Sequence, residues 1–114
     1  MHKVFVYGTL KSGNTTRGLD QFGGATKVGD AITTTAEYSL FDLGCFPGVT
    51  LDGYNRVQGE VWNVTDEVFE MLDRIEGYPD FYYRQEINTT AGKAWMYYLP
   101  HVDDFYSAKQ IGYN

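Results

Sequence analysis

The clearest periodic pattern in this chain is an apolar stripe with the spacing of a helix. Its members recur at i, i+1, i+4 and i+7 and would share one face: Val68, Phe69, Leu72 and Ile75. Thr65 stands where a hydroxyl can cap the first turn, and Gly77 ends the pattern. Asp66 and Glu67 lie where the helix dipole favours negative charge. We therefore predict one amphipathic helix between Thr65 and Gly77.

The rest of the chain has the apolar, β-branched and aromatic runs that are typical of strands. A strand buried on both faces is predicted over Lys3–Thr9, at the centre of a sheet. Further strands are predicted over Thr26–Thr33, Glu37–Leu43, Val57–Val64, Phe81–Thr89 and Lys93–Leu99. A short helix is expected over Thr15–Phe22, a bend at Gly44–Gly48 and an irregular tail from Pro100. This order predicts an α+β fold, with a small mixed or antiparallel β-barrel flanked by one helix.

Composition narrows the class of protein and of partner. The 114 residues suit a single domain over residues 1–114, and 15 acidic against nine basic side chains give a charge of -6 that disfavours nucleic acid and anionic membranes. Cys45 is a single cysteine and cannot form an internal disulfide. Met1, His2 and Lys3 lead directly into a predicted strand without the apolar region of a signal peptide, so we expect a cytoplasmic location. Cys45, His2 and His101 do not have the spacing of a metal site or a catalytic triad, so no metal or other cofactor is expected.

The first predicted strand leads directly into a turn of small and polar residues, in the sequence VFVYGTLKSGN. Glycines and hydroxyl residues at such a place can turn several backbone N–H groups toward an anion. The spacing is not that of a nucleotide phosphate loop, because Lys11 and Ser12 come before Gly13 instead of after the second of two spaced glycines. Two interpretations stay open from these residues: a plain strand and turn, or a cradle for another small anion.

Glu76 breaks a rule of helix electrostatics, because it places a carboxylate at the negative end of the dipole. Asp73 adds a negative charge three residues earlier, and the aromatic residues that follow could bury the carboxylate. Each effect would raise the pKa of Glu76 toward a value suited to a general base near neutral pH. A glutamate that points into water, or one paired with Arg74 or Arg84, is the alternative left open.

Five segments of the chain occur in the order known from one enzyme family. They are VFVYGTLKSG, GCFPGV, VQGEVW, LDRIEGYPDFYYR and AWMYYL, and together they extend from Val4 to Leu99. The chain resembles the γ-glutamylcyclotransferase-like family, including its γ-glutamylamine cyclotransferase and AIG2-like branches. The resemblance implies a compact β-barrel with flanking helices and a small-molecule γ-glutamyl substrate.

The resemblance also implies roles for individual residues. Those it assigns to substrate binding are Tyr7, Gly8, Thr9, Leu10, Tyr82, Arg84 and Tyr97. The loop from Tyr7 to Leu10 would bind through backbone groups, and Glu76 would be the general acid and base. Tyr82 and Arg84 match a Tyr-x-Arg that follows this glutamate, and Tyr97 matches an aromatic position on a strand beside the pocket.

The implied reaction is a lyase-like or transferase-like cleavage of a γ-glutamyl amide to 5-oxoproline and a free amine. Glutathione, γ-glutamyl amino acids, γ-glutamylamines and γ-glutamyl-ε-lysine share the same head group, so the sequence does not choose among them. A module that binds or sequesters such a metabolite without turnover is the alternative, because one fold serves many functions.

Overall fold

The computed structural model describes residues 1–7, 18–42, 47–100 and 109–111. Its elements are β1 (His2–Val6), β2 (Ala25–Ile32), β3 (Tyr38–Asp42), β4 (Pro47–Asn55), β5 (Gln58–Val64), α1 (Asp66–Glu76), β6 (Tyr83–Thr89), β7 (Gly92–Tyr98) and β8 (Lys109–Ile111). A 3₁₀ turn at Leu19–Gln21 lies within the predicted helix Thr15–Phe22, whose first three residues are outside the described ranges.

The helix α1 forms as the sequence predicts, from its cap to its end. The Val68 N–H donates to the Thr65 hydroxyl at 3.3 Å, which satisfies one of the N–H groups that a first turn leaves open. Gly77 ends the helix with a left-handed φ of 71°, which glycine adopts without steric cost. The Tyr78 N–H then donates to the Asp73 carbonyl at 2.8 Å and closes the last turn. No helix in the described ranges is long and apolar enough to cross a membrane.

The strand β1 lies at the centre of a five-stranded sheet with the order β2-β5-β1-β7-β6. It pairs antiparallel with β5 and parallel with β7. Val4, Phe5 and Val6 are all buried, although successive side chains point to opposite faces. This arrangement confirms the predicted central strand, which begins at His2 and ends at Val6.

The five-stranded sheet does not close into the predicted barrel. Its edge strands, β2 and β6, approach each other at one end, where an antiparallel bridge joins Thr33 and Thr89 and the Thr34 N–H donates to the Asn88 carbonyl at 3.1 Å. Along their described lengths the two strands are otherwise unpaired with each other. The strands β3, β4 and β8 instead form a separate three-stranded sheet with the order β4-β3-β8. Two packed sheets therefore replace the single closed sheet.

The sequence patterns predict neither β4 nor β8. Pro47 and Gly48 belong to β4 instead of the predicted bend, and the register of Asp42 with Pro47 starts an antiparallel pairing with β3. Proline is tolerated here because it is the first residue of an edge strand. Residues 43–46 of the predicted bend lie outside the described part. In the tail predicted to be irregular, Lys109–Ile111 pairs antiparallel with β3.

Apolar side chains pack on both faces of the five-stranded sheet. On one face, Val4 and Val6 lie in a core that includes Leu72 of α1. On the other face, Phe5 lies in a core with Leu40 of the second sheet. Because alternate residues of β1 point to opposite faces, this strand connects both cores and fixes its own end relative to the helix.

Candidate active site

Tyr7 follows the central strand and is the last described residue before the predicted substrate loop. Its side chain is buried, and its hydroxyl donates a hydrogen bond of 2.7 Å to the Tyr97 carbonyl on β7. Gly8, Thr9 and Leu10 lie outside the described residues, so their contacts with a ligand stay a prediction. Tyr7 therefore marks where the loop leaves the sheet.

Glu76 is the last residue of α1 and is partly buried. Two hydrogen bonds join the start of the loop to the last turn of α1: the Tyr7 hydroxyl donates to the Tyr97 carbonyl, and the Tyr97 hydroxyl donates to Asp73, three residues before Glu76. Burial is the main cause that raises the pKa of the Tyr7 hydroxyl, and interactions with Tyr82 and Glu76 raise it further. The hydrogen bonds therefore hold Tyr7 at the end of the helix that carries Glu76.

A tight turn carries the chain from Glu76 back to the sheet. The Phe81 N–H donates to the Gly77 carbonyl at 2.7 Å, and the Tyr82 N–H donates to the Glu76 carbonyl at 3.3 Å. The Tyr78–Pro79 peptide bond within the turn is cis. Tyr82 is buried, and its ring meets that of Phe81 edge-on with centroids 5.0 Å apart. Backbone and ring contacts together keep Tyr82 beside the helix end.

Asp73, one turn before Glu76, accepts hydrogen bonds in a charged network that joins three elements. Arg84 on β6 contacts both carboxylate oxygens, at 2.6 Å to Oδ1, and the Tyr97 hydroxyl on β7 donates to the same Oδ1 at 2.6 Å. Burial and then the hydrogen bond to Asp73 raise the pKa of Tyr97, so it remains a neutral donor. Because the Tyr97 carbonyl accepts from Tyr7, one residue of β7 joins the start of the loop to the last turn of the helix.

Three aromatic rings surround the Arg84 guanidinium. Its Cζ lies 4.3 Å from the ring centroid of Phe69, 4.5 Å from that of Tyr78 and 5.3 Å from that of Trp95. All three distances are in the range of cation–π attraction. Although burial opposes the charge, the hydrogen bond and attraction to Asp73 raise the pKa of Arg84 above its ordinary value. Arg84 is therefore a permanent cation held in one position.

This network bears on one alternative that the sequence left open. The ion pair of Arg84 is with Asp73, whereas the sequence left a pair with Glu76 open. The sequence analysis missed the partners of Asp73, because Arg84 is 11 residues away beyond a turn and opposite charge is the only signal that relates the two.

A second charged cluster lies on β2 and β5, beside a surface groove of about 500 Å³. The groove is lined by residues that include Asp30, Gln58, Glu60 and Thr90, and by none of the described residues that are predicted to act on substrate. Nor do three His, Cys, Asp or Glu side chains gather as a metal site anywhere in the described ranges. The described members of the set predicted to act on substrate are connected by hydrogen bonds at the last turn of α1 instead.

A known family model matches nearly the whole chain. The model is described as gamma-glutamyl cyclotransferase, AIG2-like, and it matches residues 4–112. The Vibrio cholerae protein named "Putative gamma-glutamylcyclotransferase" is 38% identical over 96 residues, which are 84% of this chain and 80% of that protein. The Escherichia coli K12 "Gamma-glutamylcyclotransferase family protein YtfP" is 35% identical over 97 residues, or 83% of this chain and 80% of that protein.

Solved structures agree with this match. The solution NMR structure of the Escherichia coli protein ytfP has a TM-score of 0.70 at 33% identity and covers 97% of this chain and 92% of that chain. The crystal structure of an aig2-like protein from Mus musculus has a TM-score of 0.80 at 24% identity, with coverage of 97% and 86%. The mouse protein supports the fold alone at that identity.

Proposed function

Because the chain belongs to the gamma-glutamyl cyclotransferase, AIG2-like family, we propose that it cleaves a γ-glutamyl amide or γ-glutamylamine to 5-oxoproline and a free amine. The observation that carries this proposal is the pair of hydrogen bonds that connects Tyr7, where the loop begins, through Tyr97 to Asp73, one helical turn before Glu76. The reaction needs a proton acceptor close to a group of N–H donors. We propose the amides of Gly8, Thr9 and Leu10 as those donors.

The substrate supplies its own nucleophile in this reaction. Its α-amine attacks the γ-carbonyl carbon and forms the C–N bond of a five-membered ring, after which the bond from that carbon to the amide nitrogen breaks. Because the attack is intramolecular, a correctly folded substrate supplies up to about 7–11 kcal/mol of positioning advantage. The protein then has two tasks: to fix one substrate conformer and to move protons from the α-nitrogen to the leaving amine.

We assign this proton transfer to Glu76. The α-ammonium group, with a pKa of about 8, must lose a proton before it can attack, and the nitrogen loses a second proton when the ring closes. Glu76 accepts the first proton and gives it to the leaving amine, and the second proton also ends on that amine, which departs as an ammonium ion, so the enzyme ends the cycle in its starting state. Its place in the last turn of α1 suits this exchange, since the negative end of the helix dipole favours the protonated form.

Tyr7 acts as a neutral acceptor in the proposed site. Its raised pKa keeps the phenol protonated, and its proton is engaged by the Tyr97 carbonyl. The Val49 backbone makes a hydrogen bond with the hydroxyl oxygen. The second lone pair of that oxygen can then accept one further hydrogen bond, for example from the substrate ammonium group. Tyr82 and Tyr97, both buried at this end of the helix, would form the wall of the pocket.

A panel of γ-glutamyl compounds tests the proposed activity directly. The panel comprises glutathione, a γ-glutamyl amino acid, a γ-glutamylamine and γ-glutamyl-ε-lysine, with 5-oxoproline measured by mass spectrometry. We expect product from at least one of them. A folded protein that releases no 5-oxoproline from any member would favour the alternative, a module that binds such metabolites without turnover.

A further inference from the structure

Asp73 lies between the permanent cation of this region and the proposed base. Its carboxylate holds Arg84, and it precedes Glu76 by three residues on the same helix. Side chains with that spacing have Cβ atoms about 5–6 Å apart. The ring of Tyr78, two residues after Glu76, also lies against the guanidinium. The guanidinium therefore contacts the side chains three residues before Glu76 and two residues after it.

We propose that Asp73 is a positioning residue for the cyclisation: by holding Arg84 and Tyr97 against the last turn of α1, it keeps the guanidinium from pairing with Glu76. This inference rests on the proposed function of Glu76. It assigns Arg84 to the support of the site, whereas the family resemblance assigns it to contact with the substrate.

The charges around Glu76 explain why such a counter-ion would matter. The Tyr82 N–H donates to the Glu76 carbonyl, and Tyr7, which follows β1, interacts electrostatically with Glu76. Arg84 and Tyr97 hold Asp73 three residues earlier, and Arg74 is two residues earlier on the same helix. The three tyrosines are neutral near pH 7, whereas an uncompensated arginine would stabilise a carboxylate and weaken it as a base. Pairing with Asp73 cancels most of that effect on Glu76.

The geometry of the pair favours a fixed role over a mobile one. The side chains of Asp73 and Arg84 are only 23% and 21% exposed, so water screens them little. The aromatic rings restrict the guanidinium further, and Tyr97 restricts the carboxylate. An arginine held in this way keeps its distance from the helix end while substrate binds and leaves.

Asp73→Asn is the first test, because the amide keeps the shape and the acceptor oxygen but removes the charge. The acidic limb of the profile of kcat/KM against pH reports the base of the free enzyme. We expect it to move to lower pH by about one unit, because Arg84 then acts on Glu76 without compensation. A weaker base also lowers kcat by about threefold, with KM largely unchanged.

Arg84→Gln should shift the acidic limb of the pH profile in the opposite direction. This change leaves Asp73 as an uncompensated negative charge, so the acidic limb should move to higher pH. The double variant Asp73→Asn/Arg84→Gln removes both charges and should return the limb close to that of the wild type. Glu70→Gln is the matched control, because it removes a negative charge from an exposed position on the same helix.

The same variants can be compared without a substrate. NMR of the Glu76 side-chain carboxyl carbon as a function of pH gives the titration midpoint of Glu76 in each variant. If the folded wild type releases no 5-oxoproline from the panel, the proposed function fails, and this titration still decides whether Asp73 shields Glu76. Opposite shifts in the two single variants support the inference. Equal midpoints in the wild type and both variants, or a shift in Glu70→Gln as large as in Asp73→Asn, would overturn it.

Discussion

Two carboxylates in this molecule, the buried Glu60 and the partly buried Asp73, have the same kinds of partner. Glu60 accepts a hydrogen bond of 3.0 Å from the Trp62 indole and lies 3.1 Å from the Lys27 ammonium. Asp73 accepts from the Tyr97 hydroxyl and pairs with Arg84. In each cluster, therefore, a carboxylate is held by one cation and one aromatic donor.

The two clusters differ in how firmly the cation is held. Lys27 is 37% exposed at its side chain and divides its charge between Glu60 and the exposed Asp30, 3.0 Å away. Arg84 is enclosed by three aromatic rings and directs its charge to Asp73. The same kinds of group therefore form a partly exposed ion pair at Lys27 and an enclosed one at Arg84. Of these two pairs, the one at Arg84 is on the helix that carries the proposed base.

The largest expected effect is on turnover, from Glu76→Gln. The amide cannot accept the ammonium proton, so we expect kcat to fall about a hundredfold or more while a γ-glutamyl ligand still binds. The melting temperature should stay unchanged or rise slightly, because a negative charge leaves the negative end of a helix. Glu60→Gln, in the other cluster, should reduce turnover only in proportion to folded protein.

Turnover, calorimetric binding of the ligand and a melting curve for each variant check this contrast. Near-normal kcat in a folded Glu76→Gln protein would remove Glu76 from the mechanism. An equal loss of kcat per folded molecule in Glu60→Gln would break the distinction between the clusters.

The next effect is on stability, from removal of each cation. Arg84→Ala leaves Asp73 largely shielded from water without its cation and removes the contacts with the rings, so we expect a loss of about 2 kcal/mol in the free energy of unfolding. Lys27→Ala should cost less, because exposed ion pairs are screened by water. Denaturation in urea measures both values. An equal or larger loss in Lys27→Ala would show that enclosure by the rings does not distinguish the pairs.

The smallest expected effect concerns alkaline stability and the two aromatic donors. The pKa of Tyr97 in the folded protein is raised above its ordinary value of 10, so above about pH 10 the unfolded chain loses a proton that the folded protein keeps. The free energy of unfolding therefore falls as pH rises, by up to about 1.4 kcal/mol per unit for this group. Tyr97→Phe should make that decline shallower.

Trp62→Phe is the matched variant for the other cluster, since it removes a donor that does not titrate. We expect it to lower stability by a similar amount at pH 8 and at pH 11. Urea denaturation at several pH values compares the variants, and an unchanged alkaline slope in Tyr97→Phe would contradict the proposed environment of its hydroxyl.

The sequence by itself determined the features that depend on neighbouring residues. Thr65, the apolar stripe and Gly77 specified α1 from cap to end, because capping and helical spacing act within a few residues. The run of apolar residues in β1 likewise predicted a strand buried on both faces. The five segments predicted the family, and the match over residues 4–112 confirms it.

Only the tertiary structure decided how these pieces are paired. The local sequence of Pro47 and Gly48 predicts a bend, but both residues pair with β3 as part of β4. This pairing belongs to a second sheet, separate from the five-stranded one. The local sequence shows Asp73 only as a second negative charge near Glu76. In the fold, Arg84, 11 positions away, pairs with Asp73, and Tyr97, 24 positions away, donates a hydrogen bond to it. Hydrogen bonds and ion pairs between distant segments form only where the fold brings those segments together, so a local pattern carries no record of them.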